Sequence, residues 1–343
     1  MSSQIAGIED KIDGLTINES RGDVRRSLQG ESIAEDFNVE VNGCSVNARG
    51  SLQVNTVMSA AIKQILADGT MKRIKEYNAG FPGGSSATVA DPDMCLAEWD
   101  RMEQPVGILA KAMGEGTFKW CLPELAIGSP DANYVAVAEE DNPLQGISTG
   151  DYWGVWIDTS NSITIAMSKI LHRPLSAEFV LVPNVNGWMD DLTEALTNGD
   201  CYAVPDIFFR TPPREQVFDY TCFTLGASKL GYGAQSLATI DISSIIANQG
   251  DGFTICGVPG SLQAGLLERS FPNATLVEVA SVPDMTRGVC EGVCDVVVDD
   301  LDNFERFSAS YSECSGLAFG EAVTIPYTSS GGGVAPFTLR TFC

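Results

Sequence analysis

The chain carries a single histidine, His172, and ten cysteines. Those two counts bound the chemistry open to it. A Ser–His–Asp or Cys–His nucleophile needs an imidazole to move its proton. His172 stands late in a predicted helix, just before Arg173-Pro174, where a helix-end role fits better than catalysis. Structural zinc uses thiolates and imidazoles at close, paired spacing. The cysteines at 44, 95, 121, 201, 222, 256, 290, 294, 314 and 343 are scattered, contain no C-x-x-C, and offer only Cys290 and Cys294 as a close pair. No metal is expected. No phosphate-binding glycine pattern stands in the chain either, since Gly231-Tyr-Gly233 is too short to count, so no cofactor is expected. An even number of scattered cysteines points to disulfides made in an oxidising compartment. Their pairing stays open, and buried free thiols are the alternative.

The scaffold that must position any site is large enough for two domains, with 343 residues, 44% of them hydrophobic and 19% charged. The formal net charge is −24. Such a surface repels phosphate backbones and anionic bilayers, so nucleic acid is not an expected partner. No apolar run approaches the length that spans a membrane. The start, Met1-Ser-Ser-Gln-Ile, lacks the basic and apolar regions of a signal peptide. A secreted protein would then be numbered after processing, or lie inside a longer precursor.

Residues 1–50 are polar and mixed, with turns expected at Asn42-Gly43 and Arg49-Gly50. From Val54 the apolar residues Val57, Met58, Ala61, Ile62, Ile65 and Leu66 recur at helical spacing. Asp68-Gly69 ends that helix, and a shorter one runs from Thr70 to Tyr77. Residues 79–93 read as a linker, and 93–113 as helix interrupted at Pro105. From Thr117 strands alternate with helices. The strands are expected at 118–122, 179–182, 203–209, 253–258, 275–279 and 295–298. The helices are expected at 154–171, 188–198, 260–269 and 283–292. This alternation predicts an α/β fold.

Several segments carry a more specific likeness. They are Gly150-Asp-Tyr-Trp-Gly-Val-Trp-Ile-Asp158, Leu192-Thr-Glu-Ala-Leu-Thr-Asn-Gly-Asp200, and Thr211-Pro-Pro-Arg-Glu-Gln-Val-Phe-Asp-Tyr-Thr221. Val258-Pro-Gly-Ser261, Gly292-Val-Cys-Asp-Val-Val-Val-Asp-Asp300 and Phe337-Thr-Leu-Arg340 follow in order. In this order and spacing, residues 116–340 resemble the type II periplasmic solute-binding family. That family includes bacterial amino-acid-binding proteins and the ligand-binding core of ionotropic glutamate receptors. The resemblance implies a two-lobed α/β clamshell. The family's closing helix, with its Asp-Gly-Thr turn, is matched near the N-terminus instead, by Val54-Asn55 through Asp68-Gly-Thr70 and on to Ile74 and Tyr77. A circular permutation is therefore expected, with that helix docked on the first lobe or, alternatively, donated to a neighbouring subunit. The expected organisation is an N-terminal extension (1–53), the permuted helix and linker (54–115), lobe 1 (116–224), lobe 2 (225–317) and a return strand to lobe 1 (318–343).

The resemblance also implies a site. Arg214 matches the position that pairs with a ligand carboxylate, which its planar fork suits. A salt bridge to Glu215 or Asp219 is the alternative. Gly260 and Ser261 match an anion site at a helix start, with an ordinary Ser cap as the alternative. Asp300 matches the acid that binds the ligand's ammonium, and Asp299 is one register away. Trp120 is a candidate for stacking on the ligand, or for the core. Phe209 departs from the pattern, since it stands where the family carries a Thr or Ser that meets the ligand. The reading is an extracellular binding protein for a small amino-acid-like solute, free of cofactors. It includes a homo-oligomer or neighbouring domains of a precursor as possible partners. A fold-keeping structural protein and a cleft enzyme of the dehydratase type are the alternatives.

Overall fold

The computed structural model describes residues 40–41, 44–78, 89–100, 103–124, 136–137, 152–205, 210, 214–226, 230–234, 248–259, 271–300, 318–323 and 333–340. All lie in one compact unit, Val39–Cys343. It begins with a small hairpin of β1 (Glu40–Val41) and β2 (Cys44–Ser45). Three helices follow: α1 (Val46–Ala67), α2 (Thr70–Tyr77) and α3 (Gly107–Glu115). The Asp68-Gly69 stop is as expected, with Gly69 left-handed at φ 75°.

The start of α1 differs from the expectation. The helix begins at Val46, so Arg49-Gly50 lies inside it rather than in a turn. Gly50 serves another purpose there. A Cβ on it would lie 2.8 Å from both Ile108 N and Val106 O, because the first turn of α3 crosses α1 at that point. The glycine makes room for a backbone, which a pattern of apolar spacing cannot reveal.

The first lobe is a sheet covered on both faces. Its elements are β3 (Thr117–Pro123), β4 (Ala136–Val137), β5 (Tyr152–Trp153), α4 (Val155–Leu171), β6 (Ser176–Val182), α5 (Trp188–Asn198), β7 (Phe218–Tyr220) and the late strand β15 (Phe337–Leu339). Strands β3 and β6 are parallel, and Trp120 bridges in parallel to Ala203. Val204 then bridges antiparallel to Phe337 of β15, which pairs antiparallel with β7. The spatial order is β6, β3, the 201–205 segment, β15, β7. Alternation along β3 separates two cores. Phe118, Trp120 and Leu122 pack with α1, α3 and α4, while Cys121 faces α5, Phe218 and Phe337.

The second lobe repeats the plan. Its strands are β9 (Leu230–Ala234), β10 (Thr254–Gly257), β11 (Thr275–Glu278), β12 (Val296–Asp300) and β13 (Ala318–Val323), with α6 (Val282–Cys290) on one face. The order is β11, β10, β12, β9, β13. The three strands β11, β10 and β12 are parallel, and β9 is antiparallel to both its neighbours. In each sheet the antiparallel strand is the one that has just arrived from the other lobe. Two cores again alternate: Ile255, Val296 and Val298 on one side, Cys256 and Val297 with Met285 and Val289 of α6 on the other.

This topology corrects one expected boundary. Residues 318–323 form the edge strand of the second sheet, beside β9, and are not part of the return to lobe 1. The return is made by β14 (Gly333–Val334) and β15. Strand β14 pairs with β8 (Leu225–Gly226) on the outgoing path, so the two crossovers lie side by side.

Disulfides pin both lobes. Cys121–Cys201 joins adjacent strands of the first sheet, and Cys256–Cys294 ties β10 to the turn before β12. Cys95–Cys222 links the N-terminal portion to the start of the outgoing crossover, and Cys290 is bonded as well. The disulfide reading of the cysteines thus holds over the free-thiol one, in keeping with an oxidising compartment.

Candidate functional site

Arg214 opens a short 3-10 turn, Arg214–Gln216, that leads straight into β7. It is buried at 6% exposure. Its Cζ lies 4.9 Å from the centroid of the Trp188 ring, so an indole face covers the guanidinium. Its N–H edge donates a hydrogen bond to the Tyr220 hydroxyl at the end of β7. Burial lowers the guanidinium's affinity for its proton, and Tyr220 partly restores it. Burial likewise holds the Tyr220 phenol neutral well above its usual range, while the Arg214 charge pulls the other way. An arginine stays ionised through shifts of this sort, so the pair is a fixed cation beside a neutral phenol.

The two acids expected as alternative partners are engaged by other arginines. Glu215 pairs with Arg210, and Asp219 lies 3.8 Å from Arg340. Arg340 also donates to the Glu215 carbonyl.

Each wall of this constellation is set locally. Trp188 is the first residue of α5, and the loop before it is clamped by Asp191 one turn into the helix. The Asp191 carboxylate accepts from Val185 N at 2.7 Å, from Asn186 N at 3.1 Å and from Asn186 Nδ2 at 3.0 Å. Burial raises its pKa, but these backbone and amide donors outweigh that and hold the carboxyl below its ordinary 3.8. A depressed acid stabilises the fold fully above its unfolded pKa, and loses that contribution as the pH falls through the folded value. The loop ahead of Trp188 is therefore expected to stay ordered down past pH 4. Nuclear magnetic resonance titration of Asp191 should show a midpoint below 3.8. D191N, which keeps the shape but loses the charge-assisted acceptor, should broaden the Trp188 indole N–H signal at neutral pH. Tyr220 stacks against Phe337 of β15 with ring centroids 5.0 Å apart, which fixes the other wall.

The remaining residues named from the sequence fall in three groups. Trp120 lies in the first-lobe core at 0% exposure, with its indole N–H given to Thr164 Oγ1 at 3.0 Å. It takes the core alternative rather than a ligand-facing one. Asp299 and Asp300 end β12, opposite Gly231 and Leu230 of β9. Gly260, Ser261 and Phe209 lie outside the described residues. Parallel strands β10 and β12 run side by side, and Asp300 stands at the carboxyl end of β12. Ligands of α/β sheets gather at such carboxyl edges. His172 is exposed and caps α4 in the left-handed conformation at φ 52°, a helix-end role as expected. Among the described residues no cluster of three His, Cys, Asp or Glu side chains is placed to hold a metal.

Trp188 and Tyr220 were not singled out from the sequence. Tyr220 stands inside the quoted segment ending at Thr221, and Trp188 directly follows Gly187 at a helix start. Neither position announces that its side chain turns toward Arg214.

No protein family matches the chain, and no curated protein matches it. Solved structures do. PfVFT1 of Plasmodium falciparum superposes with a TM-score of 0.52 at 13% identity, covering 87% of this chain and 97% of that one. The periplasmic VFT2 domain of BvgS from Bordetella pertussis gives 0.45 at 18% identity, over 67% and 84%. A periplasmic His/Glu/Gln/Arg/opine family-binding protein from Silicibacter pomeroyi, solved with lysine, gives 0.36 at 26% identity, over 48% and 66%. The fold is that of the two-lobed periplasmic binding proteins. The likeness to PfVFT1 is one of fold.

Proposed function

We propose that the protein is an extracytoplasmic solute-binding module whose lobes close on a small carboxylate-bearing ligand, of the amino-acid kind, with Arg214 as the carboxylate anchor. The observation that carries this reading is the buried Arg214 guanidinium, fixed in plane by Trp188 on its face and Tyr220 on its edge. Removing a guanidinium from water costs several kcal/mol. Setting its plane in advance reduces what a bidentate carboxylate contact must spend on ordering. Asp300 at the end of β12 is proposed to answer the ammonium, with Gly260 and Ser261 supplying donors to the carboxylate and Phe209 narrowing the site. The disulfides support a location outside the reducing cytosol. Among the described residues no helix is long and apolar enough to cross a membrane.

The same reading extends to the order of segments. Helix α1 packs on α3 and α4 of its own chain, and Asn55 Nδ2 donates to the Asp219 carbonyl at 2.8 Å. That contact supports α1 as the permuted closing helix of the first lobe, docked in cis.

Calorimetric titration of the intact protein with the standard amino acids and simple dicarboxylates tests the function. Saturable binding is expected for at least one of them. R214K should weaken it at least tenfold, and R214A about a hundredfold or more, since truncating one member of a buried charge pair costs 2–5 kcal/mol. Absence of binding across the panel, or binding indifferent to both variants, would leave Arg214 a structural cation and the protein a fold-keeping assembly domain.

A further inference from the structure

The outgoing crossover does not run free between the lobes. Leu225 of β8 pairs with Val334 of β14 on one side. On its other side it bridges antiparallel to Val89. Ala90 N donates to the Thr224 carbonyl at 3.2 Å, which continues the pairing. Six residues beyond Val89, Cys95 is bonded to Cys222, three residues before Leu225. Both ends of the 89–95 segment are thus fastened to the crossover. Between them, Asp91 accepts from Asp93 N at 2.9 Å and starts a 3-10 turn over Pro92–Met94. The fastening reaches the lobe's interior through α1. Ser59 Oγ accepts from Cys222 N at 3.2 Å, and its neighbour Met58 is fully buried. Thr224 and Leu225 are buried under this cover, at 0% and 4% exposure.

We infer that residues 89–95 are a strap that locks the outgoing crossover to the first lobe as far as Leu225, so that the swing of the second lobe is restricted by a segment from outside both sheets. The physical argument is one of degrees of freedom. Hinge motion is absorbed by a few backbone dihedrals at the ends of elements. Two crossovers joined only by β8–β14 pairing could bend anywhere from Thr221 onward. A disulfide at Cys222, a backbone bond at Thr224 and a bridge at Leu225 remove that stretch from the hinge. What bends must then lie beyond Leu225 on the outgoing path. The strap also covers the outer edge of β8, which would otherwise offer unpaired backbone groups. The inference rests on the two-lobed reading of the crossovers and on no ligand.

The test uses the intact protein without ligand. Spin labels are placed through non-cysteine chemistry at exposed Lys169 of the first lobe and exposed Asn273 of the second. The distance distribution between them is compared in the parent, in C95S/C222S and in A90P. A90P removes the donor to Thr224 but keeps the disulfide. Native hydrogen exchange is followed at Leu225 in each. The strap predicts at least a twofold broader distance distribution in C95S/C222S, with Leu225 exchanging tenfold faster or more, and a smaller change of the same sign in A90P. Distributions that superimpose on the parent's in folded variants, as judged by far-ultraviolet circular dichroism, overturn it. If C95S/C222S does not fold, A90P alone decides, and an unchanged distribution there overturns the strap equally. Loss or absence of ligand binding has no bearing on this result, so the two proposals fail separately.

Discussion

Replacing Cys121 and Cys201 together by alanine should lower the unfolding free energy of the first lobe by about 4.5 kcal/mol. The bond closes a loop with a sequence separation of 80 residues. Opening a loop of that length returns conformational entropy to the unfolded chain, and the chain-entropy relation gives that figure at 25 °C. The native state loses contacts as well. Cys121 is fully buried and Cys201 is 1% exposed, packed with Val182, Leu192, Val204, Phe218 and Phe337. The strands themselves need not separate, because Cys121 N still donates to Ala203 O at 2.7 Å and Tyr202 N to Lys119 O at 2.8 Å. The expected phenotype is therefore a protein of native secondary structure whose first lobe melts early. Chemical denaturation followed by fluorescence of Trp120 and Trp156, both in that lobe's core, measures it. A loss under 1 kcal/mol would mean that the reduced chain keeps those two strands together when the rest unfolds.

Gly50→Ala and Gly114→Ala should act in opposite directions, although both replace a glycine inside a helix. Alanine gains up to about 1 kcal/mol over glycine in a helix interior. At Gly114 in α3 an added Cβ meets nothing within 4 Å, so that gain should appear as added stability. At Gly50 the added Cβ lies 2.8 Å from Ile108 N and Val106 O, and 3.0 Å from Gly107 Cα. All three atoms are backbone and cannot rotate aside. Relief requires α1 and α3 to move apart, which disturbs the fully buried Leu109 and Val54 nearby. Overpacking of this kind costs about 1–3 kcal/mol and should outweigh the propensity gain. Thermal unfolding of the two single variants beside the parent reads the sign directly. Equal effects would show that the crossing yields easily, and that Gly50 is a matter of propensity alone.

The elements differ in how legible they were, for physical reasons. Helices α1, α4 and α5 and strands β3, β10, β11 and β12 were visible from apolar spacing, glycine stops and turn residues. These are local signals, and each is read out by the residues that carry it. The left-handed stops at Gly69 and Gly199 belong to the same kind, since only the neighbouring backbone decides them. The first eight residues of α1 carried no apolar period and were missed, because that turn is held by its crossing with α3 and not by an apolar stripe. Strand β13 was assigned to the wrong lobe, because its partner β9 stands more than eighty residues earlier in the chain and no local pattern names it.

The amino-acid sequence by itself determined the class of fold, a stock of one imidazole and the acidic charge, and it marked Arg214 as a candidate. It also favoured disulfides over free thiols, since the number and scatter of the cysteines are chain properties. Tertiary structure decided the rest. It chose the pairings Cys95–Cys222, Cys121–Cys201 and Cys256–Cys294, because pairing depends on which strands become neighbours. It sent Trp120 to the core, because alternation along β3 gives its face to Thr164 and α4. It gave Arg214 an indole and a phenol as its walls, from a helix start and a strand end that stand 26 residues before it and six after it in the sequence. Such contacts arise only when separate elements pack, and side-chain spacing along one element carries no record of what will face it.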